Sequence, residues 1–184
     1  MAALPCVGLQ DGDSFEVVTI LLTHGAELDS RDQNGWTPLF WALQAPRTRR
    51  ATLDLLLERG ADPNGRDNQG RTPLLVAAEA SWNKVKSQNR VFDTLLEKGV
   101  DLYVQDKNGR TPLSWAAGFA NHGVVKLLLE KGIDRETTDN EGRTAVWWAE
   151  YLEGDDYETK TEDEVRETIN LLATWGATTY LTTS

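Results

Sequence analysis

His24, His122 and Cys6 are the side chains of this 184-residue sequence best suited to nucleophilic, acid–base or metal chemistry near neutral pH. Their spacing offers no catalytic arrangement. Cys6 has no base beside it, and the two histidines lie in distant parts of the chain. No His/Cys spacing resembles a zinc site, and the glycine-lysine pattern of a phosphate loop is absent. The stretch 150–164 carries Glu150, Glu153, Asp155, Asp156, Glu158, Glu162, Asp163 and Glu164 against Lys160 alone. It lacks the alternating acid and glycine spacing of a calcium loop. The expectation is therefore no enzyme, no metal and no cofactor.

Residues suited to binding are more abundant. Seven tryptophans are many for this length. Arginines recur within a repeated local pattern, at Arg71, Arg110 and Arg143. The body that carries them is acidic, with a formal net charge of -10, which opposes association with nucleic acid or anionic lipid because phosphate repels it. No apolar run approaches the length of a membrane-spanning helix. A single cysteine allows no internal disulfide, and the first ten residues lack the charged start of a secretory signal. A reducing compartment, cytoplasmic or nuclear, is the expected location.

The elements that must position these residues are repeated. The segments Asp-Gln-Asn-Gly-Trp-Thr-Pro-Leu, Asp-Asn-Gln-Gly-Arg-Thr-Pro-Leu, Asp-Lys-Asn-Gly-Arg-Thr-Pro-Leu and Asp-Asn-Glu-Gly-Arg-Thr-Ala-Val begin at Asp32, Asp67, Asp106 and Asp139, which are 35, 39 and 33 residues apart. A leucine-rich motif with a glycine two residues before its end follows the first three, at 55–62, 95–101 and 127–134, and an earlier copy spans 20–27. Asn34-Gly35 and Asn108-Gly109 are tight-turn dipeptides. Each Thr-Pro opens a helix, with Thr as N-cap and Pro at the first helical position. Paired alanines such as Ala116-Ala117 let helices approach closely. A second helix carries the leucines and ends on Gly60, Gly99 or Gly132 in a left-handed cap. The last second helix is expected to end near Trp175-Gly176.

This unit resembles the ankyrin repeat, of about 33 residues with a Thr-Pro-Leu-His core. Here the cores read Thr37-Pro38-Leu39-Phe40, Thr72-Pro73-Leu74-Leu75 and Thr111-Pro112-Leu113-Ser114. The histidine of the family is absent from every copy, so the hydrogen-bond network it joins must differ. Gly-Arg-Thr-Pro-Leu followed by Trp115-Ala116-Ala117 is similar to ankyrin arrays of fungal multidomain proteins. The resemblance implies an all-α ankyrin-repeat solenoid of helix-turn-helix units with β-hairpin-like loops. It covers 1–184 as one domain, with units 1–31 (degenerate, its first helix frayed), 32–66, 67–105, 106–138 and 139–184.

The same resemblance implies a binding module for a protein or peptide, seated on a concave face of hairpin tips and first helices. Carried over position by position, that face offers Gln33, Asn34, Trp36, Asn68, Gln69, Arg71, Lys107, Asn108, Arg110 and Arg143 at the tips. Arg66 precedes a tip, and Phe119 and Tyr151 lie at the exposed ends of first helices. Trp36 is either an exposed anchor or packed on a neighbouring tip. The arginines, with Arg31 and Arg66, form either a cationic stripe suited to an acidic partner or pairs with nearby aspartates. Trp41, Trp115 and Trp148 recur four residues after Thr, which points to packing between stacked units. Adjacent Trp147 and Trp148 cannot both face inward.

Three units depart from the plain length between their two helices. The added segments carry Arg47, Arg49 and Arg50 in one, Lys84, Lys86 and Arg90 in the next, and the acid-rich run in the last. They form either a docking edge that changes sign or solvated loops of drifting length. Alternatives to the binding module are a sensor segment of a larger immune-receptor-like chain and a scaffold that self-associates along this edge. A monomer is the simpler expectation.

Overall fold

The computed structural model describes residues 14–44, 50–79, 88–151 and 161–178. Cys6, Trp82, the expected first helix before residue 14, and the charged segments at Arg47 and Arg49, at Lys84 and Lys86 and across 153–160 lie outside the described residues. Among the described residues the chain forms α1 (Ser14–Thr23), α2 (Pro38–Gln44), α3 (Arg50–Glu58), α4 (Pro73–Glu79), α5 (Gln88–Glu97), α6 (Pro112–Gly118), α7 (His122–Glu130), α8 (Ala145–Tyr151) and α9 (Glu162–Thr178). Short seven-residue helices opened by Thr-Pro or Thr-Ala thus alternate with longer leucine-bearing ones, as the repeat motif requires. The fold is all-α.

The chain divides into two compact units, Met1–Ala77 with Arg90–Asp101, and Ala78–Asn89 with Leu102–Ser184. In the first, α2 packs on α3 and α3 on α1. Leu39, Phe40, Leu53, Leu56, Phe92 and Leu95 are fully buried there. In the second, α6 packs on α8 and α7 on α9, while α6 pairs with α7 and α8 with α9. Within this second unit the first helices therefore form one layer and the second helices another. Leu113, Ala116, Ala117, Val124, Leu128, Ala149 and Leu172 fill the space between them. The two alanines are small enough to allow the close α6–α8 contact.

The helix ends follow the local chemistry, with two differences. Gly132 adopts φ 78°, and the Ile133 amide donates to the Leu128 carbonyl at 3.2 Å, the bond that closes a left-handed helix cap. Thr111 caps α6: its hydroxyl accepts from the Ser114 amide at 3.2 Å, and the Ser114 hydroxyl accepts from the Thr111 amide at 2.8 Å. Ser114 therefore occupies the family's histidine position and returns a hydrogen bond from it. Thr37 and Thr72 also precede their helices, yet their buried hydroxyls find no partner. Phe40 and Leu75 stand where Ser114 stands and have no polar group to offer. The second difference is α9, which continues through Gly176 to Thr178. Glycine lowers helix propensity by about 1 kcal/mol without forcing a stop.

The turn joining α6 to α7 is held from both sides. Ala120 takes φ 51°, uncommon for a residue with a Cβ. The Asn121 amide donates to the Ala116 carbonyl at 2.8 Å, and the Asn121 side chain, fully buried, accepts from the Val124 amide at 3.2 Å to cap α7. His122 is the first residue of that helix.

Candidate functional site

Each hairpin tip is organised by the aspartate that begins its motif. One carboxylate oxygen of Asp32 accepts from the Asn34 and Trp36 amides at 2.8 Å each. Asp67, Asp106 and Asp139 repeat the pattern on the amides two and four residues ahead. Before each of the first three tips, a side chain bonds the tip carbonyl: Arg31 to Gly35, Arg66 to Gly70 and Gln105 to Gly109. Neighbouring tips are then stitched by asparagine. In the first unit the Asn68 amide donates to the Asn34 carbonyl at 3.0 Å and its side chain to the Gln33 carbonyl at 2.8 Å. In the second unit Asn140 does the same to the Asn108 and Lys107 carbonyls at 2.9 Å each.

Gly35 and Gly109 make this approach possible. Both have positive φ, and a Cβ on Gly109 would lie 2.5 Å from the Asn140 side-chain oxygen and 2.8 Å from its amide nitrogen.

The other oxygen of each later aspartate gathers the aromatic and cationic groups. In the first unit, the Asp67 carboxylate accepts from the Trp36 indole at 3.2 Å and from the Arg71 guanidinium at 2.9 Å. Trp36 also lies edge-on to Trp41, centroids 5.1 Å apart. In the second unit, Asp106 accepts from the Trp115 indole at 3.0 Å. Asp139 accepts from the Trp148 indole at 3.0 Å and the Arg143 guanidinium at 2.8 Å.

Burial alone would raise the Asp139 pKa. The amide and guanidinium of Arg143, the Glu141 amide and the Trp148 indole together outweigh that and hold it below the ordinary carboxylate value.

The Arg110 guanidinium is clamped between two indoles, 3.9 Å from the Trp115 centroid and 3.7 Å from the Trp148 centroid. Gly118 leaves room for it, since a Cβ there would stand 3.2 Å from one guanidinium nitrogen. Arg143 continues the series over Trp148 and Trp147 at 4.3 and 4.9 Å. Tyr151 stacks on Trp147 with centroids 4.5 Å apart and planes 18° from parallel, and Phe119 stacks on Trp115 at 5.9 Å.

These positions decide between the alternatives at the arginines and at Trp36. Arg71 and Arg143 pair with the nearby Asp67 and Asp139 and Arg110 is only 4% exposed, so these three form pairs and internal contacts and not an exposed stripe. A guanidinium already bonded or stacked offers little to an acidic partner. Trp36 is not the largely exposed anchor that its place at a tip suggested. It is half-buried, because the neighbouring tip supplies Asp67 as a partner for its indole. The expected burial of Trp115 and Trp148 and the partial exposure of Trp147 are observed, whereas Trp41 is half-buried and its indole N–H lacks a partner.

Gln33, Asn34, Asn68, Gln69, Lys107, Asn108, Arg66 and Tyr151 are exposed, and Phe119 is half-buried. The sequence-based reading missed the aspartates as hubs. Their signal was present as an aspartate nine residues before Trp115 and Trp148. Among the described residues, no group of His, Cys, Asp and Glu is placed to hold a metal ion, and no helix is long and apolar enough to cross a membrane.

The family model of ankyrin repeats in three copies matches residues 6–102 and 82–158. The chain belongs to the ankyrin-repeat family. Members are generally protein–protein interaction modules and are typically not enzymes. No curated protein matches the sequence.

Proposed function

We propose that the chain recognises a protein or peptide partner through its hairpin tips and the outward ends of its first helices. The observation that carries this reading is a stiffened backbone bearing exposed polar side chains. Aspartate bonds fix each tip internally and Asn68 and Asn140 tie tips to their neighbours, while the side chains of Gln33, Asn34, Gln69 and Asn108 stand exposed. A surface already ordered loses little conformational entropy on binding, so its contacts count more fully toward affinity. Arg110 and Trp36 act in this reading as supports beneath the surface.

The test is a tip variant, Gln33→Ala with Gln69→Ala, Lys107→Ala and Asn108→Ala. It should keep the parent's circular dichroism and urea midpoint. A partner captured by the parent from a native lysate should bind it about tenfold more weakly or worse. Equal affinity for parent and variant would refute the reading.

A further inference from the structure

We propose that the outer face of Tyr151 receives an arginine side chain from a basic segment of the partner protein. This rests on the protein-recognition reading above and names the chemistry of one contact. The second unit contains an alternation of rings and guanidinium groups: Trp115, Arg110, Trp148, Arg143, then Trp147. Tyr151 closes it, one face laid on Trp147 at 4.5 Å and the residue 60% exposed. An aromatic face is electron-rich and attracts a cation placed over it, and a planar guanidinium also stacks. Stacking on Trp147, itself held by Arg143 and Trp148, restrains the Tyr151 ring before any partner arrives. An incoming arginine would add the next member of the alternation.

Charge selects a cation over an anion or a neutral ring. The unit's own guanidinium groups at 110 and 143 are spent internally. Among the described residues of the second unit, eight carboxylates are exposed against four cations. Glu150, adjacent to the tyrosine, is one of the eight. The sequence that follows Tyr151 is rich in acids, so a basic segment approaching from outside gains long-range attraction. The sign is opposite to that of the acidic partner which the arginine stripe had suggested.

The experiment uses the full chain with ring-labelled tyrosine and three capped peptides, Arg-Gly-Arg-Gly-Arg and its lysine and glutamate counterparts. The Tyr151 ring signals are identified by their loss in Tyr151→Phe. Expected is a saturable shift of those signals with the arginine peptide, affinity at least about threefold weaker for the lysine peptide, and no saturation with the glutamate peptide. Tyr151→Ala should weaken the arginine peptide about fivefold, Tyr151→Phe should restore it, and Tyr103→Ala, at the other strongly exposed tyrosine among the described residues, should leave it unchanged. Equal response to arginine and lysine peptides overturns the inference, as does equal loss in Tyr103→Ala. Tyr151 shifts that depend on protein concentration without peptide would assign the face to a second copy and also overturn it. A partner that still needs the tips but ignores Tyr151→Ala would refute this contact and leave the recognition module standing.

Discussion

The guanidinium of Arg110 lies 3.7 Å from the ring centroid of Trp148, a residue of the following repeat. A side chain that the repeat motif places at a hairpin tip is therefore spent on joining one repeat to the next. A guanidinium is flat and can stack on the indoles either side of it, whereas a lysine in its place has a charge but no plane.

Arg110→Ala should destabilise the protein by about 2–4 kcal/mol, through lost stacking and an unfilled slot between two rings. Arg110→Lys should recover only a minority of that. Urea denaturation followed by tryptophan fluorescence reads both, with exposed Arg166→Lys as the control. A lysine variant within about 0.5 kcal/mol of the parent would show that charge alone suffices.

The helix caps predict opposite signs for two hydroxyls, Ser114 in one repeat and Thr72 in another. Ser114→Ala removes a hydroxyl that bonds Thr111 and should cost about 1–2 kcal/mol. Thr72→Val replaces a buried hydroxyl without a partner by a methyl group of similar shape, and should be neutral or stabilising. A loss above about 1 kcal/mol for Thr72→Val would mean that its hydroxyl is bonded in solution.

The contact between tips can be measured by paired glycine substitutions in the second unit. Gly109 and Gly142 share nearly the same backbone, φ 78° and 77°, but only Gly109 faces a neighbouring asparagine. Gly142→Ala should cost about 1–2 kcal/mol for the left-handed conformation alone. Gly109→Ala should cost clearly more, because the Asn140 amide must also move. Equal costs from thermal or urea unfolding would show that the tips are not stitched in solution.

Asp139 sets a dependence on pH. Its folded-state pKa is depressed, so it contributes stability above its unfolded value, about 3.9, and loses it as pH falls through the folded value. Parent stability should decline below about pH 4, and Asp139→Asn should flatten that part of the profile. At pH 7 the same substitution should cost about 2–4 kcal/mol, since it leaves Arg143 without its buried partner. A parallel decline in parent and variant would remove Asp139 from the acid response.

The repeat, the helix starts and the glycine caps were legible in the sequence because each is written in neighbouring residues. Asn108-Gly109, Thr111-Pro112 and Gly132 decide their own backbone whatever lies beyond them. The fates of Trp36 and Arg110 were not legible in that way. Trp36 meets a carboxylate of the next motif, and Arg110 a ring of the next repeat. A position within one motif says nothing about which acceptor the following motif will present. The missing family histidine was visible, but its replacement by a reciprocal Thr111–Ser114 pair depended on side-chain geometry.

Asn34-Gly35 and Asn108-Gly109 belong to the dipeptide class that ages fastest, since the glycine nitrogen can attack the asparagine side chain to form a succinimide and release ammonia. In the folded chain those nitrogens donate to the Asp32 and Asp106 carbonyls at 2.9 and 3.0 Å. The N–H of the attacking atom is thus held in a turn bond that must open before the nitrogen can attack. The tips that carry the exposed amides are also chemically protected, and every opening of a turn gives that protection up, at the risk of a new negative charge at the centre of the tip.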